Sequence, residues 1–234
     1  MQPEPMGLEP SADPAAPEAA ARAAIAGAAQ QLGLPLEPAA IDRLIAYLAL
    51  MQRWNRVYNL TALRDPAQML SHHLIDCLAV LPALRRHAQG RPLRILDVGS
   101  GGGLPGVVLA IVQGDWSVTC IDAVAKKAGF VRQVAGELAL PNLRSVHGRV
   151  EALPADARFD VIVSRAFASL VDFTTLSRTQ LAPDGVWLAM KGRAPDDEAA
   201  ALGPGVSVFH VEPLRVPGLP EQRCLVWLRP HGGR

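Results

Sequence analysis

The chain has 234 residues, 50% of them hydrophobic and 19% charged, which excludes a disordered or fibrous protein and suits one globular domain with added helices. Its formal net charge of +1 excludes a global basic field, so any nucleic-acid contact must use a local basic face. Cys77, Cys120 and Cys224 are far apart and lack C-x-x-C spacing, which indicates neither a zinc site nor a disulfide framework and fits reduced, buried thiols. No apolar run approaches bilayer-spanning length, and the first thirty residues carry Glu and Pro where a signal peptide carries a basic flank and an apolar core. A cytoplasmic protein without membrane contact is expected.

In chain order, residues 1–17 hold five Pro among Ala, Glu and Gly and read as a disordered tail. An Ala-rich stretch from Glu18 to Leu32 favours helix. A second helix after Gly33 and Pro35 is marked by Ile41, Leu44, Ile45 and Leu48. A turn follows at Tyr58-Asn59-Leu60-Thr61, and Asp65-Pro66 can cap a third helix carrying Leu70, Leu74, Leu78 and Leu81. Residues 18–90 thus read as a helical extension and 91–234 as a second region, the two forming one compact unit.

From Arg91-Pro92 onward, short apolar strands alternate with helical segments, the pattern of a parallel sheet with crossover helices. The strands are expected at Leu93–Val98, Ser117–Asp122, Leu143–His147, Phe159–Ser164 and Gly185–Lys191, and the helices at Leu104–Val112, Ala125–Leu140 and Leu170–Leu181. Val206–Val211 and Cys224–Leu228 are close enough to pair antiparallel. The fold class is α/β: a mostly parallel sheet of seven strands with an antiparallel end.

The most informative segment runs from Ile95 to Gly106, an apolar strand entering a turn with five glycines in eight residues and then a helix. Such a turn lets backbone approach a nucleotide, and the helix start offers N–H groups beside it. Gly101, Gly103 and Gly106 satisfy G-x-G-x-x-G, so an NAD-type oxidoreductase is one reading. Asp97 favours the other. A carboxylate two residues before the first glycine disfavours a pyrophosphate and suits a ligand carrying an ammonium and a sulfonium, as in the D-x-G-x-G loops that bind S-adenosylmethionine. Asp122, ending the next strand, suits the ribose hydroxyls of either cofactor.

In open parallel sheets the ligand sits at the carboxyl ends of the strands, so Ser164-Arg165-Ala166-Phe167 should face it. This loop has neither the Asn/Asp-Pro-Pro-aromatic motif of exocyclic-amine methylation nor the Cys needed to attack a pyrimidine carbon. Nitrogen 7 of guanine needs neither, because its lone pair is available and no proton leaves. Arg165 can orient the cofactor or guanine, or simply anchor the loop by an ion pair. Phe167 is more in keeping with core than with a stacking platform. His147 and His210 have no metal-ligand spacing, and no metal is expected.

Several segments together resemble the bacterial 16S ribosomal RNA guanine-N7 methyltransferase G family, also called glucose-inhibited division protein B. They are residues 58–62, 64–66, 73–78, 97–106, 126–127 with 130–134, 148–151, 164–170 and 190–192. Only Gly102, where Ala or Pro is common, and His72, where Arg is common, depart from the family pattern. The resemblance implies a class I S-adenosylmethionine-dependent methyltransferase (Rossmann-like) fold with cofactor contacts at Gly99, Leu104, Val150, Glu151 and Arg165. Asp122 matches as the ribose-side carboxylate, and Gly101 and Gly103 belong to the same loop. Arg165, Lys191 and Asn59 are the candidate catalytic side chains. Asn59 and His73 either face the site or tie the extension to the sheet, and Lys191 either meets RNA or is a solvated strand end. The expected partner is 16S ribosomal RNA, in the small subunit or an assembly intermediate, met by a monomer through a rim drawn from Arg53, Arg56, Arg64, Arg193 and Arg223. A non-enzymatic RNA- or ribosome-binding module is the remaining alternative.

Overall fold

The computed structural model describes residues 16–165 and 167–232, so most of the expected tail lies outside the described residues. Helix α1 spans Ala16–Gln31 and buries Ile25, Ala28 and Ala29, a narrow stripe that small side chains allow to pack closely. Helix α2, Pro38–Tyr58, turns Leu44, Tyr47, Leu48, Met51 and Asn55 inward at three- and four-residue spacing. It ends where Asn59 adopts left-handed backbone (φ 50°) and donates its N–H to the Asn55 carbonyl at 3.3 Å.

Asp65 caps the next helix by accepting the Gln68 N–H at 2.8 Å, with Pro66 in the first turn. The expected single helix here is subdivided. Pro66–Met69 (α3) widens into π-helical turns over Leu70–Ile75, resumes as α4 over Asp76–Leu78, and restarts as α5 over Leu81–Ala88. Pro82 is the physical reason for the last break, since its ring lacks an N–H and collides with the carbonyl four residues back. Contrary to the sequence expectation, the stretch Pro66–Ala88 is long and apolar enough to cross a membrane, yet two thirds of its most apolar window is buried inside the protein.

The sheet comprises β1 (Arg94–Val98), β2 (Ser117–Asp122), β3 (Leu143–His147), β4 (Phe159–Ser164), β5 (Leu181–Lys191), β6 (Val206–Pro213) and β7 (Cys224–Pro230). Their order is β3-β2-β1-β4-β5-β7-β6, with β1 to β5 parallel and β7 antiparallel to both neighbours. Strand β5 starts four residues before its expected Gly185. It carries Pro183-Asp184-Gly185 past a register shift against β4 instead of turning there.

Alternation along each strand divides the core. Ile95, Val161, Val163, Leu188 and Leu225 pack under α6 (Gly106–Val112), α7 (Ala125–Glu137) and the N-terminal helices. Leu96, Ile162, Trp187 and Val226 face the other way, toward Leu170 and Phe173 of α8 (Leu170–Ser177). A last short helix, α9, covers Asp196–Ala200. Helix α8 stops short of the expected Leu181 because its last turn tightens to 3₁₀ geometry over Arg178–Gln180. Adjacent strands β1 and β4 lead in opposite directions across the sheet, which opens a crevice at their carboxyl ends.

Candidate active site

The glycine loop leaves β1 at that crevice. Gly99 and Ser100 both donate their N–H groups to the Ile121 carbonyl, at 2.9 and 3.2 Å, so the chain turns sharply over the end of β2. Gly99 and Gly101 have φ of 68° and 58°, and a Cβ added to either would meet no protein atom within 4 Å. The space above these two glycines is open to a ligand. Gly103 and Gly106 are glycines for a different reason. A Cβ on Gly103 would lie 2.4 Å from Val107 Cγ2 in the first turn of α6, and one on Gly106 would lie 2.4 Å from Cys120 Sγ of β2, so the first leaves no room against the helices and the second none against the sheet. Helix α2 supports the loop from behind: the buried Tyr47 hydroxyl donates to the Gly102 carbonyl at 2.6 Å.

Asp97 does not open toward the crevice. Strand parity places it with Ile95 on the α6 face, fully buried, where Oδ2 accepts the Gly106 N–H at 2.8 Å and Oδ1 has no hydrogen-bond partner. Burial pushes its carboxyl up to about 7, against the Gly106 hydrogen bond that pulls it down. Asp122 is also drawn into the scaffold, accepting Gly101 N–H on Oδ2 at 2.9 Å and Val124 N–H on Oδ1 at 2.8 Å. Each of its oxygens keeps a further lone pair for a ligand hydroxyl. The Gly148 N–H bonds the Asp122 carbonyl at 3.0 Å, which brings the turn at Val150–Ala152 beside it, with Val150 buried and Glu151 exposed.

At the end of β4, Ser164 Oγ donates to the Val98 carbonyl at 2.9 Å and locks the two strand ends together. The Arg165 guanidinium reaches back to the helical extension, donating to the His72 carbonyl at 3.0 Å and to His73 Nδ1 at 3.2 Å, and lying 3.7 Å from Asp76 Oδ2. Arg223 Nε stands 3.3 Å from Asp76 Oδ1, close enough for charge attraction but outside hydrogen-bond alignment. His73 Nε2 lies 2.7 Å from Thr61 Oγ1, and Asn55 holds the same loop through Thr61 N–H at 2.9 Å and the Leu63 carbonyl at 2.8 Å. Burial, helped by the Arg165 charge, lowers His73 to about 4.

A cavity of about 170 Å³ lies between these parts, lined by Gly99, Ser100, Gly101, Leu104, Thr61 and Arg165 among others. It is smaller than the few hundred Å³ of a whole small-molecule site. Arg165 also borders a neighbouring cavity of about 380 Å³ with Lys191, Arg223 and His72. Lys191 enters there already paired with Glu198, 2.9 and 2.8 Å from its two oxygens. Gly103, Asp122, Val150, Glu151 and Asn59 line neither cavity. Asn59 is exposed and accepts from Arg64 at 3.3 Å, while Asn55, one helical turn earlier, is the buried asparagine at the site. A cavity of about 810 Å³ lies outside the crevice, between α2, α3 and the end of α7, and collects Arg53, Arg56 and Arg64. Arg193 is exposed beyond β5.

Residues that sequence reasoning missed are Tyr47, Asn55 and Asp76, with Thr61 as an individual side chain. The available signal was the inward stripe of α2, in which a polar Asn55 continues the apolar positions.

Asp97 and His73 bias stability in opposite directions with pH. Asp97, raised in the folded state, contributes stability present below its ordinary value and lost as pH rises from 4 to 7; His73, lowered, contributes stability lost as pH falls from 6.5 to 4. Each contribution is on the order of a few kcal/mol, so between pH 4 and 7 the two oppose one another. Denaturant titrations should find that Asp97→Asn becomes more stable as pH rises through this window. A pH-independent D97N protein would contradict the assignment.

Sequence and structure comparisons identify the family and the fold. A model of the family described as GidB, rRNA small subunit methyltransferase G, matches residues 40–226. The chain is 59% identical over 210 residues to ribosomal RNA small subunit methyltransferase G of Acidovorax sp. (strain JS42), covering 86% of this chain and 92% of that protein. It is 58% identical over 202 residues to the protein of that name from Leptothrix cholodnii, with the same coverage. Among solved structures, a SAM dependent methyltransferase from Aquifex aeolicus superposes with a TM-score of 0.53 at 19% identity, over 73% of this chain and 96% of that one, a likeness of fold. A methyltransferase family decides between the two cofactor readings that the glycine loop alone left open, and the chain belongs to the rRNA small subunit methyltransferase G (GidB) family.

Proposed function

We propose that the protein transfers a methyl group from S-adenosylmethionine to nitrogen 7 of a guanine in 16S ribosomal RNA. Family membership supports an rRNA substrate. The observation that favours nitrogen 7 is the lining of the glycine-loop cavity, which among the described residues has Lys127 and Arg165 as its charged groups and no carboxylate, imidazole or thiol, while His73 and Asp76 of the adjoining cavity are engaged by Arg165. An acceptor that loses no proton needs none of these.

The residues fit the cofactor. Open backbone at Gly99 and Gly101, with Leu104 closing the loop, would hold its amino-acid part, and the buried Asp97 supports that loop from the α6 side through the Gly106 N–H. Asp122 would take the ribose hydroxyls on its remaining lone pairs, and Val150 and Glu151 would flank the adenine side. Bound there, S-adenosylmethionine supplies an electrophilic methyl group on a sulfonium. Arg165 positions the acceptor face of the site, and Lys191, held by Glu198, is offered to RNA beside it. Gly103 serves the cofactor indirectly, by letting the loop turn into α6 against Val107 and Val131. Asn59 supports the RNA side through Arg64, in the groove that also holds Arg53 and Arg56. Arg223 and Arg193 extend the basic rim past β5, and contacts of this kind weaken as salt rises.

In this reading residues 18–90 form the extension and 91–234 the methyltransferase domain of one unit, working as a cytoplasmic monomer. The target base must leave its stack, so folded RNA or a partly assembled small subunit presents it. Small subunits lacking the modification are to be incubated with the protein and labelled S-adenosylmethionine, and 7-methylguanosine mapped by borohydride and aniline cleavage. New cleavage at one guanine is expected; label incorporated without it would place the methyl group on another atom.

A further inference from the structure

Thr61 follows α2 and lines the glycine-loop cavity together with Gly99, Ser100 and Arg165. Its Oγ1 accepts the Leu63 N–H at 3.2 Å and lies 2.7 Å from His73 Nε2. The direction of the second bond is set from the far side of the imidazole. The Arg165 guanidinium has only N–H donors and approaches His73 Nδ1 at 3.2 Å, so Nδ1 is the bare acceptor. The ring proton therefore sits on Nε2 and is donated to Thr61. Burial that lowers His73 to about 4 keeps the ring neutral and this arrangement intact at physiological pH. Asn55, on the Thr61 N–H and the Leu63 carbonyl, fixes the backbone of the same turn.

Two N–H donors use both lone pairs of the Thr61 oxygen, and its own proton has no acceptor among the described residues. A hydroxyl normally donates or accepts as required; this one can only donate. Beside nitrogen 7, guanine carries the acceptor oxygen 6, where adenine carries an amino donor.

We propose that Thr61 is a specificity-determining residue, its hydroxyl donating to oxygen 6 of the guanine that is methylated at nitrogen 7. The proposal rests on the guanine-N7 reading above. A rigid donor accepts guanine and rejects a purine without that oxygen, because the hydroxyl is then left unpaired. His73 and Arg165 act through Thr61 as positioning residues.

The test uses small-subunit RNA with guanine or 2-aminopurine at the mapped position. The analogue keeps nitrogen 7 and the exocyclic amine but lacks oxygen 6. The native protein should show kcat/KM about tenfold to a hundredfold lower with 2-aminopurine, as expected for one lost hydrogen bond. Thr61→Val should lower kcat/KM on guanine and shrink that preference by the same factor, with S-adenosylhomocysteine affinity unchanged, and Thr61→Ser should restore the preference. Retained preference in T61V, or weakened S-adenosylhomocysteine binding with the preference intact, overturns the proposal. Should T61V fail to fold, nitrogen NMR of the native protein decides: His73 protonated on Nε2 supports it, and protonation on Nδ1 overturns it. Failure of the native protein to methylate nitrogen 7 of guanine RNA would instead bring down the underlying reading.

Discussion

Gly99→Asp is expected to abolish methyl transfer, with S-adenosylhomocysteine affinity reduced at least about a hundredfold, in a protein that still folds. The backbone at Gly99 has φ of 68°, which Asp tolerates better than most residues at a cost of about 1–2 kcal/mol. A Cβ there meets no protein atom, so the new side chain extends into the cavity rather than into the core. Thermal unfolding should shift by only about 2–8 °C. Gly103→Ala offers the contrast: its Cβ falls 2.4 Å from Val107 Cγ2 and 3.1 Å from Val131 Cγ2, so stability is lost. Calorimetry with S-adenosylhomocysteine on both variants separates a cradle glycine from a packing glycine. Affinity within threefold of the native value in G99D would mean that the loop does not hold the cofactor.

Arg165→Met should remove activity and stability together, and the stability loss should depend on pH. Methionine keeps much of the side-chain length but leaves Asp76, whose side chain is 5% exposed, with Arg223 as its remaining charge partner. Burial already raises the Asp76 carboxyl while Arg165 and Arg223 pull it down, so removing Arg165 raises it further. A carboxyl raised in the folded state destabilises increasingly as pH rises above its ordinary value. The deficit of R165M should therefore be about 2–4 kcal/mol at pH 7 and shrink toward pH 4 as Asp76 takes up a proton. His73, freed from the Arg165 charge, should titrate at higher pH by NMR. Methylation should fall at least about a hundredfold. Equal destabilisation at pH 4 and pH 7 would show that Arg165 acts by packing and not by compensating Asp76.

Much of the fold is carried by local pattern. Strands β2, β3 and β4 begin and end where alternating or continuous apolar runs meet Gly, Pro and Asp. The glycine-rich turn after β1 marks the ligand end of the sheet without reference to any other segment. Such signals are short-range: a strand's period, a helix stripe or a turn residue is decided by neighbours a few positions away. The interrupted helix over Pro66–Ala88 and the long β5 were less legible, because leucine spacing hides a π-helical widening and Pro-Asp-Gly reads as a turn where a register shift keeps the strand going.

The chemistry of the site was decided in three dimensions. Asp97 and Asp122 stand in the sequence like ligand carboxylates, and the fold gives their oxygens to Gly106, Gly101 and Val124 N–H groups, since a buried loop must satisfy its backbone donors before it can serve a cofactor. Arg165 meets His73 and Asp76 only because β4 ends against the helical extension, across about ninety residues of chain. Thr61 meets the His73 imidazole in the same cluster, while Asn59, equally polar and two positions away, faces solvent at the end of α2. Residue type and spacing set which elements form and where the loop lies. Which polar groups are left free to meet a substrate is settled by hydrogen bonds between distant segments, which no local pattern records.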